Sequence, residues 1–324
     1  MVSPFPVLLL MFFVTQFHSP LKKRYVVLHA ESYPPSIARN STHSSKKINA
    51  METLFAHSYI LIFGKLAVGG AIALAVPDFA LVERGYYKST AAVFTGCVMC
   101  MAGGQLYLLL NYPGHGIPSP LEVSAWCFFC TVFVVYFITL FTDMALIRAR
   151  VFPLLLLSSL LAVSSSAWVF ASQNGGPLTG LVFTAALFSG SLIVGATLSG
   201  MLLGHWYLID TGMDLAPFKQ ILKWCKGCLL AAIVTACLST AVVSLLDGNG
   251  ANGAVSEALA AYPWLVFARV FCWVLTGVLF LLIEKTLEIP QTMAATGLFY
   301  IAALGAAVGE IASHWLLFRT GIPL

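Results

Sequence analysis

The sequence predicts an all-α protein, a bundle of about eight helices that spans a lipid bilayer. Two observations carry this. Hydrophobic residues make up 59% of the 324 residues and charged residues only 9%, against about 25% charged in soluble domains. The apolar residues also come in runs of about 20, the length that about 30 Å of hydrocarbon requires at 1.5 Å per residue. A β-barrel would alternate apolar and polar residues over about ten positions, and these runs do not.

The apolar runs are 53–79, 90–110, 123–143, 151–171, 178–204, 222–246, 263–283 and 293–317. Turn chemistry separates them: Asn111-Tyr-Pro-Gly-His-Gly, Gln173-Asn-Gly-Gly-Pro and Asp247-Gly-Asn-Gly-Ala-Asn-Gly. Long helices with short connections form an up-and-down bundle of residues 51–324.

Basic residues set the expected orientation. Arg84, Lys88, Arg148, Arg150, Lys219, Lys223, Lys226 and Lys285 all fall at one end of the bundle, while Arg319 alone lies at the other. The positive-inside rule puts the first set in the cytoplasm and both ends of the bundle on the outer side, in a cell's inner, cytoplasmic membrane. The net charge of +4 forms no basic stripe, so no nucleic-acid partner is expected; the first partner is the bilayer.

Residues 1–50 fit this topology poorly, with Lys22, Lys23, Arg24, Arg39, Lys46 and Lys47 on the translocated side. The run 5–17 is too short to span and lacks a basic flank before it, so it makes a poor signal peptide. Two expectations stand: translation starts at Met51, or 1–50 is a disordered extension rich in Ser and Pro. An intact peptide covering 25–45 in the purified protein would remove the first.

Small residues mark close helix contacts. Gly190, Gly195, Ala196, Gly200 and Gly204 in the fifth span, and Gly305, Gly309 and Ser313 in the eighth, let backbones approach in lipid. Both spans are expected to be central.

Ionisable side chains inside a bilayer cost about 2.5–3.5 kcal/mol each on insertion scales, so they are the first functional candidates. His57, Arg269, Glu310 and His314 fall toward the outer side. Glu310 and His314 share a helix face at i, i+4, and Arg269 lies on the preceding helix at similar depth. This group reads either as a structural Arg269–Glu310 ion pair or as a proton-linked site for a quinone. Lys65 sits mid-span without a local partner. His205 and Asp210, in Gly204-His-Trp-Tyr-Leu-Ile-Asp210, mark a cytoplasmic interface beside the polar segment 214–226, a docking surface for a soluble redox subunit.

Six of eight cysteines form Cys-x-x-Cys pairs: Cys97/Cys100, Cys127/Cys130 and Cys225/Cys228. Each pair shares a helix face and suits a thiol-redox role or plain apolar packing. Their different depths oppose one shared metal site. A haem between His57 and His314 is a further reading. No phosphate-binding loop, Ser-His-Asp order or His-Glu-x-x-His motif is present, so no catalytic residue is assigned. Three functions therefore remain open: a quinone-interacting membrane anchor of an oxidoreductase, a transporter or permease, and a membrane thiol-redox protein.

Overall fold

The fold was taken from a computed structural model, which describes residues 56–320 apart from Ala80, 112–117, Asp143, 175–176, Thr211, 248–255, 257–259 and Pro290. The expectations for residues 1–50 and Met51 lie outside the described residues.

Among the described residues, eight apolar helices, each long enough to cross a bilayer, form a bundle. They are α1 (Ala56–Ala73), α2 (Arg84–Asn111), α3 (Pro120–Thr139), α4 (Ala145–Asn174), α5 (Pro177–Ile209), α6 (Ala216–Asp247), α7 (Pro263–Glu288) and α8 (Thr292–Thr320). No strand occurs among the described residues. The protein is thus all-α and multi-pass. Apolar side chains run almost evenly round α3, because one face meets lipid and the other meets protein. Phe267 and Leu304, 71% and 66% exposed, belong to the lipid-facing surface.

Helix boundaries follow local chemistry. The first span ends at Ala73, short of residue 79, near Pro77, which has no N–H to continue a helix. The carbonyl of Pro77 instead accepts a 2.8 Å hydrogen bond from the Tyr87 hydroxyl. Helix α2 starts at Arg84, six residues before the apolar run, because Arg84 and Lys88 lie in its polar first turns. Helix α3 starts at a Ser119 cap whose hydroxyl accepts from the Glu122 N–H at 3.1 Å, with Pro120 at the first helical position.

Sequential helices pack as antiparallel neighbours, and α8 also packs on α5. The two most enclosed spans are α1 and α5, 67% and 56% buried, whereas α4 and α6 are 28% buried and peripheral. Glycines set this arrangement. A methyl at Gly69 would strike the carbonyl of Ser191, and one at Gly195 would overlap the backbone of Gly69 and Gly70, so α1 and α5 cross backbone to backbone. Gly64 admits the Trp126 ring of α3, and Gly70 admits Phe94 of α2. The fifth span is central, as its small residues imply. The other central helix is the first, not the eighth, whose Gly305 and Gly309 face α7.

The basic residues gather where α2, α4 and α6 begin and α7 ends. Lys88 lies 4.9 Å over the Phe141 ring, Arg148 5.0 Å over Phe79, and Lys226 pairs with Glu284 at 2.6 Å. This basic end is opposite the end where α1 starts and α8 finishes.

Candidate functional site

Two buried polar groups occupy the half of the bundle away from the basic end. The deeper one joins α1, α7 and α8. Lys65 is the tenth residue of α1, and Glu310 stands ten residues before the end of α8. Each is therefore about 15 Å along its helix, near mid-membrane. The Lys65 ammonium donates to Glu310 Oε2 at 2.5 Å, and Arg269 Nη1 meets Oε1 of the same carboxylate at 2.5 Å. All three residues are buried. The lysine that has no partner in its own stretch of sequence finds one 245 residues away. The Arg269–Glu310 pair also forms, so Glu310 is shared between two cations.

Glycines make room for this triad. A methyl at Gly190 of α5 would collide with the Glu310 carboxylate and come within 2.8 Å of the Lys65 nitrogen. One at Gly309 would lie 3.0 Å from the Cys272 Cβ and 3.4 Å from Arg269 Nη1. The guanidinium of Arg269 lies 4.5 Å over the Trp273 ring, a cation–π contact that is strengthened by desolvation. Its Nε–H is buried without a hydrogen-bond partner. His314, one turn from Glu310, places Nδ1 3.3 Å from the carbonyl of Ser58.

A small cleft adjoins the triad, lined by Lys65, Ala186, Thr235, Arg269, Ser313 and Leu317. It holds about one water molecule. Helices α6 and α7, which supply Thr235 and Arg269, touch much less than α7 and α8 do.

The second group lies closer to the end of the bundle and joins α1 to α4. Glu122 Oε1 accepts from Gln105 Nε2 at 2.9 Å and from the Ser166 hydroxyl at 2.5 Å, and lies 3.4 Å from His57 Nε2. Trp126 Nε1 donates to the Ser166 oxygen at 3.0 Å. His57, Gln105, Glu122 and Ser166 are fully buried. His57 therefore sits with Glu122, and its ring packs edge-on to Phe318 of α8 at 5.8 Å. The sequence reading missed Glu122, Gln105 and Ser166 as site residues. Ser119-x-x-Glu122 looks like a helix capping box, but the Glu122 side chain turns inward.

At the basic end, His205 is exposed and Asp210 accepts from the Gly212 N–H at 3.2 Å. Tyr207 is buried and donates to the Asp214 carbonyl. The segment is a closed turn with a polar outer rim.

All eight cysteines are free thiols; Cys97, Cys225 and Cys228 are buried, and Cys100, Cys127 and Cys130 partly so. Among the described residues no three His, Cys, Asp or Glu side chains are grouped to hold a metal. Thiol titration of the denatured, unreduced protein is expected to count eight; six or fewer would contradict this arrangement.

Compared with known protein families, with curated proteins and with solved structures, the chain matches none.

Proposed function

We propose that this integral membrane protein is a quinone-binding anchor subunit of an oxidoreductase, with the quinone head group at Lys65, Arg269 and Glu310. One observation carries the reading: among the described residues, two buried basic side chains share a single carboxylate beside a cleft. An unpaired buried charge costs several kcal/mol, and a ligand bearing partial or full negative charge removes that cost. Quinones are lipid-soluble and present carbonyl oxygens that accept from Arg269 Nε–H and the Lys65 ammonium. Their reduced anionic forms gain most from the two basic side chains.

The cleft is water-sized, so binding requires α6 to move away from α7, the more loosely packed of the α7 contacts. Electrons would reach the quinone from a soluble redox subunit docked at the basic end, where Lys219 and Lys223 are exposed. In this reading the basic end faces the cytoplasm of a cell with an inner, cytoplasmic membrane.

Trp273 offers a direct test, because quinones quench indole fluorescence on contact. A short-chain quinone added to the purified protein is expected to quench saturably, and Trp273→Phe is expected to remove that component. Arg269→Gln loses a charge-assisted contact of about 1.5–3 kcal/mol, so the dissociation constant is expected to rise at least about tenfold. Equal quenching in Arg269→Gln and the unaltered protein would refute the site.

The mid-membrane depth of the triad favours one other reading, transport of a small organic anion. That reading expects flux in proteoliposomes. Broken helices, common at transporter sites, are not seen in α1, α7 or α8, each a continuous helix.

A further inference from the structure

The cleft beside the triad has a wall that the buried ions do not supply. Thr235 of α6 lines it together with Lys65 and Arg269. Thr235 stands twelve residues before the end of α6 at Asp247, about 18 Å along the helix and so at a depth close to that of the triad. We propose that Thr235 is a specificity-determining residue of this site: its hydroxyl donates to a quinone carbonyl oxygen lodged in the cleft, and accepts from the hydroxyl of the quinol. The inference rests on the quinone reading and deepens it, by assigning the contact that lets one site hold both redox forms.

The hydrogen bonds of this side chain leave its proton free to be redirected. Thr235 Oγ1 lies 2.8 Å from the Ala231 carbonyl, 3.1 Å from the Ala232 carbonyl and 2.6 Å from Ser189 Oγ of α5. Ser189 in turn reaches the Ala186 carbonyl at 3.0 Å. A hydroxyl has one proton and two lone pairs, so only one of the two oxygens donates across the 2.6 Å contact. With Ser189 donating, the Thr235 proton is directed at a carbonyl of its own helix or at a ligand. Those carbonyls already accept helix N–H groups, so withdrawing the proton orphans neither. With Thr235 donating to Ser189, the Ser189 proton goes to the Ala186 carbonyl, and a lone pair of Thr235 is open to a ligand hydroxyl. Both arrangements keep the pair bonded.

Lys65 and Arg269 differ from Thr235 in kind. An ammonium and a guanidinium donate and do not accept, so they suit a carbonyl or an anion and offer nothing to the proton of a quinol. The cleft holds about one water molecule, the space of a single oxygen atom, and its walls at Ala186 and Ala232 are small. An oxygen seated there faces side chains of α1, α6 and α7 at once.

Ser189 supports Thr235 in two ways. Linked hydrogen bonds polarise one another, so donation by Ser189 strengthens donation by Thr235. The bond also ties α6 to α5, with which it packs closely, so Thr235 keeps its partner when the looser α6–α7 seam opens.

The test uses the full chain in lipid nanodiscs and a short-chain quinone labelled with 13C at its carbonyls. Thr235→Val keeps the side-chain shape without the hydroxyl, and Thr235→Ser keeps the hydroxyl. Equilibrium binding of the quinone, and of its quinol under anaerobic reducing conditions, is expected to weaken about two- to tenfold in Thr235→Val for both forms. In Thr235→Ser both affinities are expected to stay within about twofold of the unaltered protein. The infrared carbonyl band of the bound quinone is expected to move to higher frequency in Thr235→Val and to hold its position in Thr235→Ser, a signature of the lost donor that a packing defect does not produce. An unmoved band with unchanged affinities in Thr235→Val would overturn the contact, and so would a Thr235→Ser that behaves like Thr235→Val. A loss confined to the quinone would overturn the acceptance from quinol. Thr235→Ala takes the place of Thr235→Val if the latter does not fold. Bound quinone with a band indifferent to residue 235 removes Thr235 and leaves the quinone site, whereas no saturable binding to the unaltered protein removes the quinone site and this contact together.

Discussion

Glu310→Ala is expected to lower stability by about 3–5 kcal/mol, the cost of breaking a buried ion pair from one side. It strands both Lys65 and Arg269, each within 2.5 Å of the carboxylate, in the buried middle of the bundle. Replacing all three residues together, Lys65→Met, Arg269→Met and Glu310→Met, removes the charges along with their partner. Apolar side chains of similar size replace buried ion pairs at little or no cost, so the triple variant is expected to recover most of the loss. Denaturant or thermal unfolding of the two variants in one detergent checks this. A triple variant as unstable as Glu310→Ala would mean that the triad is a structural clasp with specific geometry. Recovered stability together with lost quinone quenching separates ligand binding from folding.

Gly195→Leu is expected to have a still larger effect and to prevent assembly of the bundle. At this position the Cβ alone would overlap the backbone of Gly69 and Gly70, and backbone cannot move aside as a side-chain tip can. Overpacking against side chains costs about 1–3 kcal/mol; separating the two central helices would exceed that, because Lys65, His57 and the Trp126 contact at Gly64 all ride on α1. Gly277→Leu serves as the control, since its nearest neighbour is the flexible tip of Leu229 at 3.5 Å. Gel filtration is expected to give an aggregated Gly195→Leu and a monodisperse Gly277→Leu. A monodisperse Gly195→Leu would contradict the crossing.

The bundle was legible in the sequence because charge is largely excluded from lipid, and that exclusion writes each span as a predominantly apolar run. The helix ends were less so. Hydropathy does not register that Arg84 and Lys88 are helical, since polar residues at an interface can be either helix or loop. The α5 glycines announced close packing, but not that Gly190 makes room for a carboxylate. Arg269 and Glu310 could be matched by depth on sequential helices. Lys65 could not be matched, because its partner is 245 residues away and depth alone does not say which helices touch. Glu122 was hidden differently: at the third position of a helix after a serine, its type and place are those of a cap, and only the packing of α1, α2 and α4 around it gives it an inward role.

We propose that a quinone head group reaches the Lys65–Glu310–Arg269 triad between α6 and α7. A photoreactive quinone analogue applied to the protein in native membranes, followed by peptide mapping, tests it most directly. The expected label falls on α7 between Arg269 and Trp273 or on α6 near Thr235, and is competed by unmodified quinone. Label confined to other helices, or insensitive to competitor, would contradict the account.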